Sequence, residues 1–168
     1  TATSTQSITV VDPQINITPQ GVSCFGETDG EATANVTGGS GNYTYLWNPS
    51  GQTGATATGL SSGSYQVTVT DVDAGCSVTA DITITEPTEI VLTMNGFDAC
   101  NPALGSASVD ATGGVGGFTY NWSPVSSTSP LVQGIDSAMA TVVVTDANGC
   151  TATDSVFVTV WDAPIVTV

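Results

Sequence analysis

The residues of this chain able to do chemistry are four cysteines, 15 Asp and Glu, and three Trp and four Tyr, with no Lys, Arg or His. Without His there is no ordinary general base near neutral pH and the commonest metal ligand is missing. Without Lys or Arg there is no Schiff-base amine and no guanidinium to hold an oxyanion. A pair of carboxylates could hydrolyse a glycoside, but no spacing singles one out. No catalytic residue is assigned, and the chain reads as non-enzymatic. The formal net charge of −15 also removes the basic footprint that nucleic acid or an anionic membrane surface requires. No apolar run approaches the ~20 residues of a membrane span, so no membrane insertion is expected. No signal peptide is visible, which reads as a mature or excised segment.

Two acidic triplets stand at equivalent places, Asp71-Val72-Asp73 and Asp146-Ala147-Asn148. Asp71, Asp73, Asp146 and Asn148 are the candidate metal ligands, for calcium, a hard cation that prefers oxygen. Calcium would also relieve self-repulsion in a chain that lacks basic residues. The competing reading is that Asp and Asn simply organise turns.

The elements that would position these groups form a repeat. Tyr43-Thr44-Tyr45-Leu46-Trp47-Asn48-Pro49 matches Phe118-Thr119-Tyr120-Asn121-Trp122-Ser123-Pro124 at an offset of 75, as Val69-Thr70-Asp71 matches Val144-Thr145-Asp146. Within each copy the apolar residues alternate: Ala32, Ala34 and Val36; Tyr65, Val67 and Val69; Ile82 and Ile84; and, in the second copy, Ala107, Val109 and Ala111, then Val156, Val158 and Val160. Period two with one apolar face indicates antiparallel sheets packed as a sandwich. Gly, Asn and Ser fill the turns. About 75 residues with six or seven strands suits an immunoglobulin-like domain. The domain reading is a strand overhang at 1–13, one repeat at 14–87, a second at 88–162, and the first strand of a further domain at 163–168.

Sandwiches this small usually need a staple. Cys24 and Cys76 bracket the first copy, and Cys100 and Cys150 the second. The pairs Cys24–Cys76 and Cys100–Cys150 are therefore expected, each closing a loop worth roughly 4 kcal/mol. Four free thiols are the alternative; zinc fits poorly because close Cys-x₂₋₄-Cys spacing is absent. Disulfides would place the protein outside the cytoplasm.

The run Cys24-Phe25-Gly26-Glu27-Thr28-Asp29-Gly30-Glu31-Ala32-Thr33-Ala34-Asn35-Val36-Thr37-Gly38-Gly39, followed by Tyr43-Thr44-Tyr45-Leu46-Trp47 and Gly63-Ser64-Tyr65-Gln66-Val67-Thr68-Val69-Thr70-Asp71, resembles the SprB-type repeat. In the second copy Phe118-Thr119-Tyr120-Asn121-Trp122 and Val143-Val144-Thr145-Asp146-Ala147-Asn148-Gly149-Cys150 fit, whereas Asp98-Ala99-Cys100-Asn101-Pro102 departs. Such repeats occur in many copies in very large surface adhesins of gliding and other Bacteroidetes. The resemblance implies secretion, an Ig-like fold, a cell-surface role and no catalytic residue. It leaves gliding, adhesion and fibre formation open.

The ends resemble pieces of neighbouring repeats. Thr1-Ala2-Thr3 and Thr9-Val10 align with Thr151-Ala152-Thr153 and Thr159-Val160. Ser7, Ile8, Thr9, Val10 and Val11, with Ile165, Val166, Thr167 and Val168, are the candidate assembly strands. Either the chain is a window of a longer array, or a terminal strand completes the sheet of a neighbouring copy. A head-to-tail contact of that kind does not close and grows into a filament. The partners expected are copies of this chain, with covalent glycans or an external surface as further candidates.

Asn16, Asn35, Asn42 and Asn121 begin N-x-[ST] sequons, and Ser137 and Ser155 sit in Asp-Ser-aliphatic triplets that resemble a bacterial O-glycosylation signal. The alternative is ordinary polar side chains on strand faces and turns. Trp47 and Trp122 could form a sugar platform, but their periodic placement favours the core, and Trp161 is expected between domains. The whole reads as an all-β protein of tandem immunoglobulin-like antiparallel sandwiches, one disulfide each. Its expected role is a structural subunit or repeat segment of an extracellular fibre or adhesin, with a glycan- or surface-binding module as the rival.

Overall fold

The structure is a computed structural model that describes residues 12–101 and 103–164. It divides between Glu86 and Pro87 into two units. In unit 1 the strands are β1 (Gln14–Gln20), β2 (Gly30–Thr37), β3 (Tyr43–Asn48), β4 (Thr56–Leu60), β5 (Gly63–Asp71) and β6 (Cys76–Ile84). They form one sheet of order β1-β2-β4 and another of order β3-β5-β6, every pair antiparallel. With β1 to β6 in the places of A, B, C, E, F and G, this is the immunoglobulin arrangement without strand D.

Unit 2 repeats it. Strands β7 (Val91–Phe97), β9 (Gly105–Thr112) and β11 (Leu131–Ile135) form one sheet, and β10 (Thr119–Ser123), β12 (Ala138–Thr145) and β13 (Thr151–Val158) the other. Two short strands are added, β8 (Ala99–Cys100) and β14 (Val160–Trp161), which pair in parallel. The period-two expectation puts Val160 on the same face of the last strand as Val158. Instead β13 ends at Val158, and Val160 pairs with Ala99 outside the main sheet.

The alternating residues fill the interiors. Ala32, Ala34, Trp47, Leu60, Val67, Val69 and Ile84 form the core of unit 1. Ala107, Val109, Trp122, Ile135, Val142, Val144 and Val158 form that of unit 2. The polar partners on the same strands, such as Asn35 and Asn121, are exposed. Gly30 and Gly105 occupy the same place in the two copies, at the start of the second main strand. A Cβ on Gly30 would come within 2.8 Å of both Ile84 Cγ2 and the Leu60 carbonyl oxygen. A Cβ on Gly105 would collide with Val158 Cγ1 and lie 2.8 Å from the Phe97 carbonyl oxygen. Glycine is thus what lets the two sheets close at this end.

Each unit takes the chain in at one pole and releases it at the other. In unit 1 the inlet pole carries Gln14, which pairs with Thr37, and Tyr43 and Cys76, which both pair with Asp71. The outlet pole carries Gly30 beside Leu60 and Gly63 beside Ile84.

This polarity corrects the disulfide expectation. Cys76 starts β6 at the inlet pole. Cys24 lies at the outlet pole, between Val22, whose N–H donates to Thr85 O at 3.0 Å, and Gly26, whose N–H donates to Glu86 Oε2 at 3.0 Å. The length of β6 separates them, about 27 Å at ~3.4 Å per residue, whereas a disulfide needs Cα atoms within roughly 7 Å. In unit 2 Cys150 precedes β13 at the inlet pole, and Cys100 pairs with Trp161 beyond its far end. Neither Cys24–Cys76 nor Cys100–Cys150 forms: Cys24 and Cys150 are disulfide-bonded, and Cys76 and Cys100 are free thiols. Neither sandwich is closed by a disulfide of its own.

Candidate functional site

The inlet pole of each unit is built around one aspartate. Asp71, the last residue of β5, is fully buried. Its Oδ2 accepts the Ser40 N–H at 2.6 Å, and its Oδ1 accepts the Ser40 hydroxyl at 2.6 Å and the Asp73 and Ala74 N–H groups at 3.1 Å each. One carboxylate thereby joins the β2–β3 loop to the β5–β6 turn. Asp146 does the same in unit 2: Oδ2 accepts Val115 N–H, and Oδ1 accepts Asn148 and Cys150 N–H, all at 2.9 Å.

Hydrogen bonds to the charged form lower both acidities. The Ser40 hydroxyl and N–H lead for Asp71, and the Val115 N–H leads for Asp146; each holds its carboxyl below the usual range against the opposing effect of burial. A carboxylate with a depressed folded-state pKa stabilises the fold at neutral pH and loses that contribution as pH falls through the folded value. Neutralising the surface acids relieves repulsion over the same range, so wild type alone does not isolate the effect. The stability gap between wild type and Asp71→Asn is expected to be full at about pH 7 and to close below about pH 4. Thermal melts of both proteins by circular dichroism across that range check it; a gap constant with pH would show that the charge contributes nothing.

The calcium expectation falls on these same residues. Asp71 and Asp73 belong to unit 1, and Asp146 and Asn148 to unit 2. N–H and O–H donors already take the Asp71 carboxylate, and Asp73 Oδ1 accepts the Asn42 side-chain amide at 3.3 Å. Among the described residues no group of three or more His, Cys, Asp or Glu gathers where it could hold a metal ion. The carboxylates are arranged as turn organisers.

Trp47 and Trp122 lie in the cores and are not available as a sugar platform. The Nε1–H of Trp47 donates to Gly54 O and that of Trp122 to Ser129 O, both at 2.9 Å. Trp161 is 60% exposed. Sequence reasoning missed the role of Tyr65, whose hydroxyl donates to Ser61 O at 3.1 Å just before β5. This is the tyrosine corner of immunoglobulin-like folds; Ser61 four residues before a Tyr that opens an alternating strand was its signal. An open groove of about 780 Å³ runs over β3, β5 and β6, with Asn48, Gln66, Asp81 and Thr83 among its lining residues.

The glycosylation candidates are all exposed. Asn16 and Asn35 face each other across the β1–β2 ladder, Asn42 lies in the β2–β3 loop, and Asn121 points outward from β10. Ser155 is exposed on β13. Ser137 has φ +39° and its Oγ accepts the Val160 N–H at 2.9 Å, a turn role in its own right. The candidate assembly strands, Ser7, Ile8, Thr9, Val10 and Val11 and Ile165, Val166, Thr167 and Val168, lie outside the described residues.

At the outlet pole of unit 2, Asp98, Ala99 and Asn101 bind the departing chain. Asp98 Oδ1 accepts Thr159 N–H at 2.8 Å, Ala99 N–H donates to Thr159 O at 3.0 Å, and Asn101 N–H donates to Trp161 O at 2.8 Å. The segment that departs from the repeat pattern in the sequence is the one that makes this strap. In unit 1 the departing chain is held by the Val22 N–H, which donates to Thr85 O at 3.0 Å, and by the Gly26 N–H, which donates to Glu86 Oε2 at 3.0 Å.

Several solved structures are similar to the chain, among them these three. A C-terminal 282-residue fragment of intimin, in complex with the intimin-binding domain of its translocated receptor, has 17% identity and a TM-score of 0.40, covering 85% of this chain and 62% of that one. The N-terminal eight Ig domains of Down syndrome cell adhesion molecule give 11% and 0.42, covering 88% of this chain and 24% of that one. The ectodomain of mouse nectin-like molecule 4 gives 11% and 0.40, covering 91% and 66%. The chain thus spans less than two thirds of the intimin fragment. No curated protein is significantly similar to it. The SprB repeat family matches residues 15–52 and 98–127, the first segment in unit 1 and the second in unit 2. The SprB repeat match thus covers less than half of the chain and falls partly in each of its two immunoglobulin-like units.

Proposed function

We propose that this chain is a non-catalytic structural segment of an extracellular surface fibre or adhesin stalk, joined head to tail to copies of itself. The observation that carries the reading is the polarity of each sandwich, which admits the chain at one pole and releases it at the other. A unit of that kind extends in one direction whenever another follows it. The SprB repeat match supports a surface role, and a composition without His, Lys or Arg supports scaffold over enzyme. Outward-facing Asn and Ser side chains leave room for covalent glycans without disturbing either core.

Negative-stain electron microscopy of the whole chain in reductant, over a range of concentrations, tests this. Filaments that lengthen with concentration are expected. Short rods of constant length at every concentration would overturn self-assembly.

A further inference from the structure

We propose that the β3–β4 and β10–β11 loops guard an open sheet edge in each unit. Their side chains occupy the backbone groups through which a second copy of this chain would add a strand. The guard acts on the flank of a sandwich and does not depend on the head-to-tail reading above.

In the absence of strand D, β4 is an edge of the β1-β2-β4 sheet and β11 an edge of the β11-β9-β7 sheet. Backbone groups alternate along such a strand, one residue facing the ladder and the next facing away. Ala55 O accepts the Ala34 N–H at 2.8 Å, so Ala57 also faces β2, and Thr58 faces outward. In unit 2 Pro130 O accepts the Val109 N–H at 3.0 Å, which turns Leu131 outward. An unpaired edge invites another strand, and proteins commonly discourage this with charge or proline on the edge itself. Neither Thr56-Ala57-Thr58-Gly59-Leu60 nor Leu131-Val132-Gln133-Gly134-Ile135 contains either.

The preceding loop does it instead. The Gln52 side-chain amide pairs with Thr58 as a neighbouring strand would. Its Nε2–H donates to Thr58 O at 2.9 Å, and its Oε1 accepts the Thr58 N–H at 3.1 Å. The Gln52 backbone O accepts the Trp47 N–H at 2.9 Å, which holds the edge of β3 as well. In unit 2 Ser127 takes the place of Gln52 at the repeat offset of 75. Its hydroxyl donates to Leu131 O at 3.0 Å, and Ser129 Oγ accepts the Leu131 N–H at 3.3 Å. Different side chains thus occupy both hydrogen-bonding groups of one outward residue in each unit. Once freed, the β4 edges of two copies would pair antiparallel about a two-fold axis and join their sheets.

Sedimentation velocity of the whole chain in reductant compares wild type with Gln52→Ala at matched concentrations. End-to-end growth is common to both proteins and cancels in the comparison. Gln52→Ala is expected to keep the wild-type circular dichroism and to reach at least twice the wild-type mass. Adding Thr58→Pro removes the outward N–H while leaving the β2 ladder intact, and should restore the wild-type mass. A folded Gln52→Ala at wild-type mass would overturn the guard, as would association that Thr58→Pro leaves unchanged. If Gln52→Ala unfolds, Gln52→Met, which keeps the side-chain length without the amide, is read against the same outcomes. Ser127→Ala combined with Ser129→Ala should associate likewise through β11; wild-type mass there would overturn the guard in unit 2.

Discussion

Trp47→Ala should destabilise unit 1 by about 3–5 kcal/mol, the largest single effect expected in the chain. The side chain is fully buried between the two sheets, opposite Val67 on the neighbouring strand. Truncation leaves a large void in a small core and strands the Gly54 carbonyl that the indole N–H now satisfies. Few flanking side chains are large enough to collapse into the space, since Ala32, Ala34 and Ala57 line the opposite sheet. Natural domains hold only about 5–15 kcal/mol in total, so the variant should sit near its folding limit. Urea titration followed by circular dichroism gives the difference directly. Trp161→Ala, at an exposed site, should change stability by less than about 0.5 kcal/mol.

Gly105→Val should cost about 3 kcal/mol, at the upper part of the range for overpacking. The first carbon of any side chain there already overlaps Val158 and the Phe97 backbone. Val158 is fully buried at the end of β13, and the Phe97 carbonyl belongs to a neighbouring strand, so neither gives way cheaply. Gly30→Val should behave alike in unit 1, where Ile84 and the Leu60 carbonyl stand in those places. Thermal melts of the two variants check this; losses much under 1 kcal/mol would mean that the sheets reopen at this pole without penalty.

Most of the fold was legible in the residue pattern. Ala32 and Ala34, Tyr65, Val67 and Val69, and the paired Trp47 and Trp122 alternate as sheet residues do, and each faces inward as that alternation requires. The repeat was legible too, because two copies of one core must place the same side chains at the same spacing. The cysteine pairing was misread for a physical reason. Proximity was inferred from position along the chain, whereas the number of antiparallel passes between Cys24 and Cys76 decides at which pole each lies. Four strands lie between them, and simple alternation would return the chain to the same pole; because β3 and β4 run the same way through the unit, the two cysteines end at opposite poles. The strap of β8 and β14 was hidden because two-residue strands carry no periodicity. Asp71 and Asp146 were singled out, but their acceptor role depends on which backbone N–H groups the loops of unit 1 and unit 2 turn inward, and no spacing rule gives that.

The separation of inlet and outlet has a mechanical side. When the two ends of such a sandwich are pulled apart, the load runs along the strands, and β1 and β6 point the same way through the unit. Ladder hydrogen bonds lie across that direction, so they must be sheared together and cannot be peeled from one edge in succession. Resistance to pulling is set by the unfolding rate and not by equilibrium stability. A sandwich of modest thermodynamic stability can on that account hold tension.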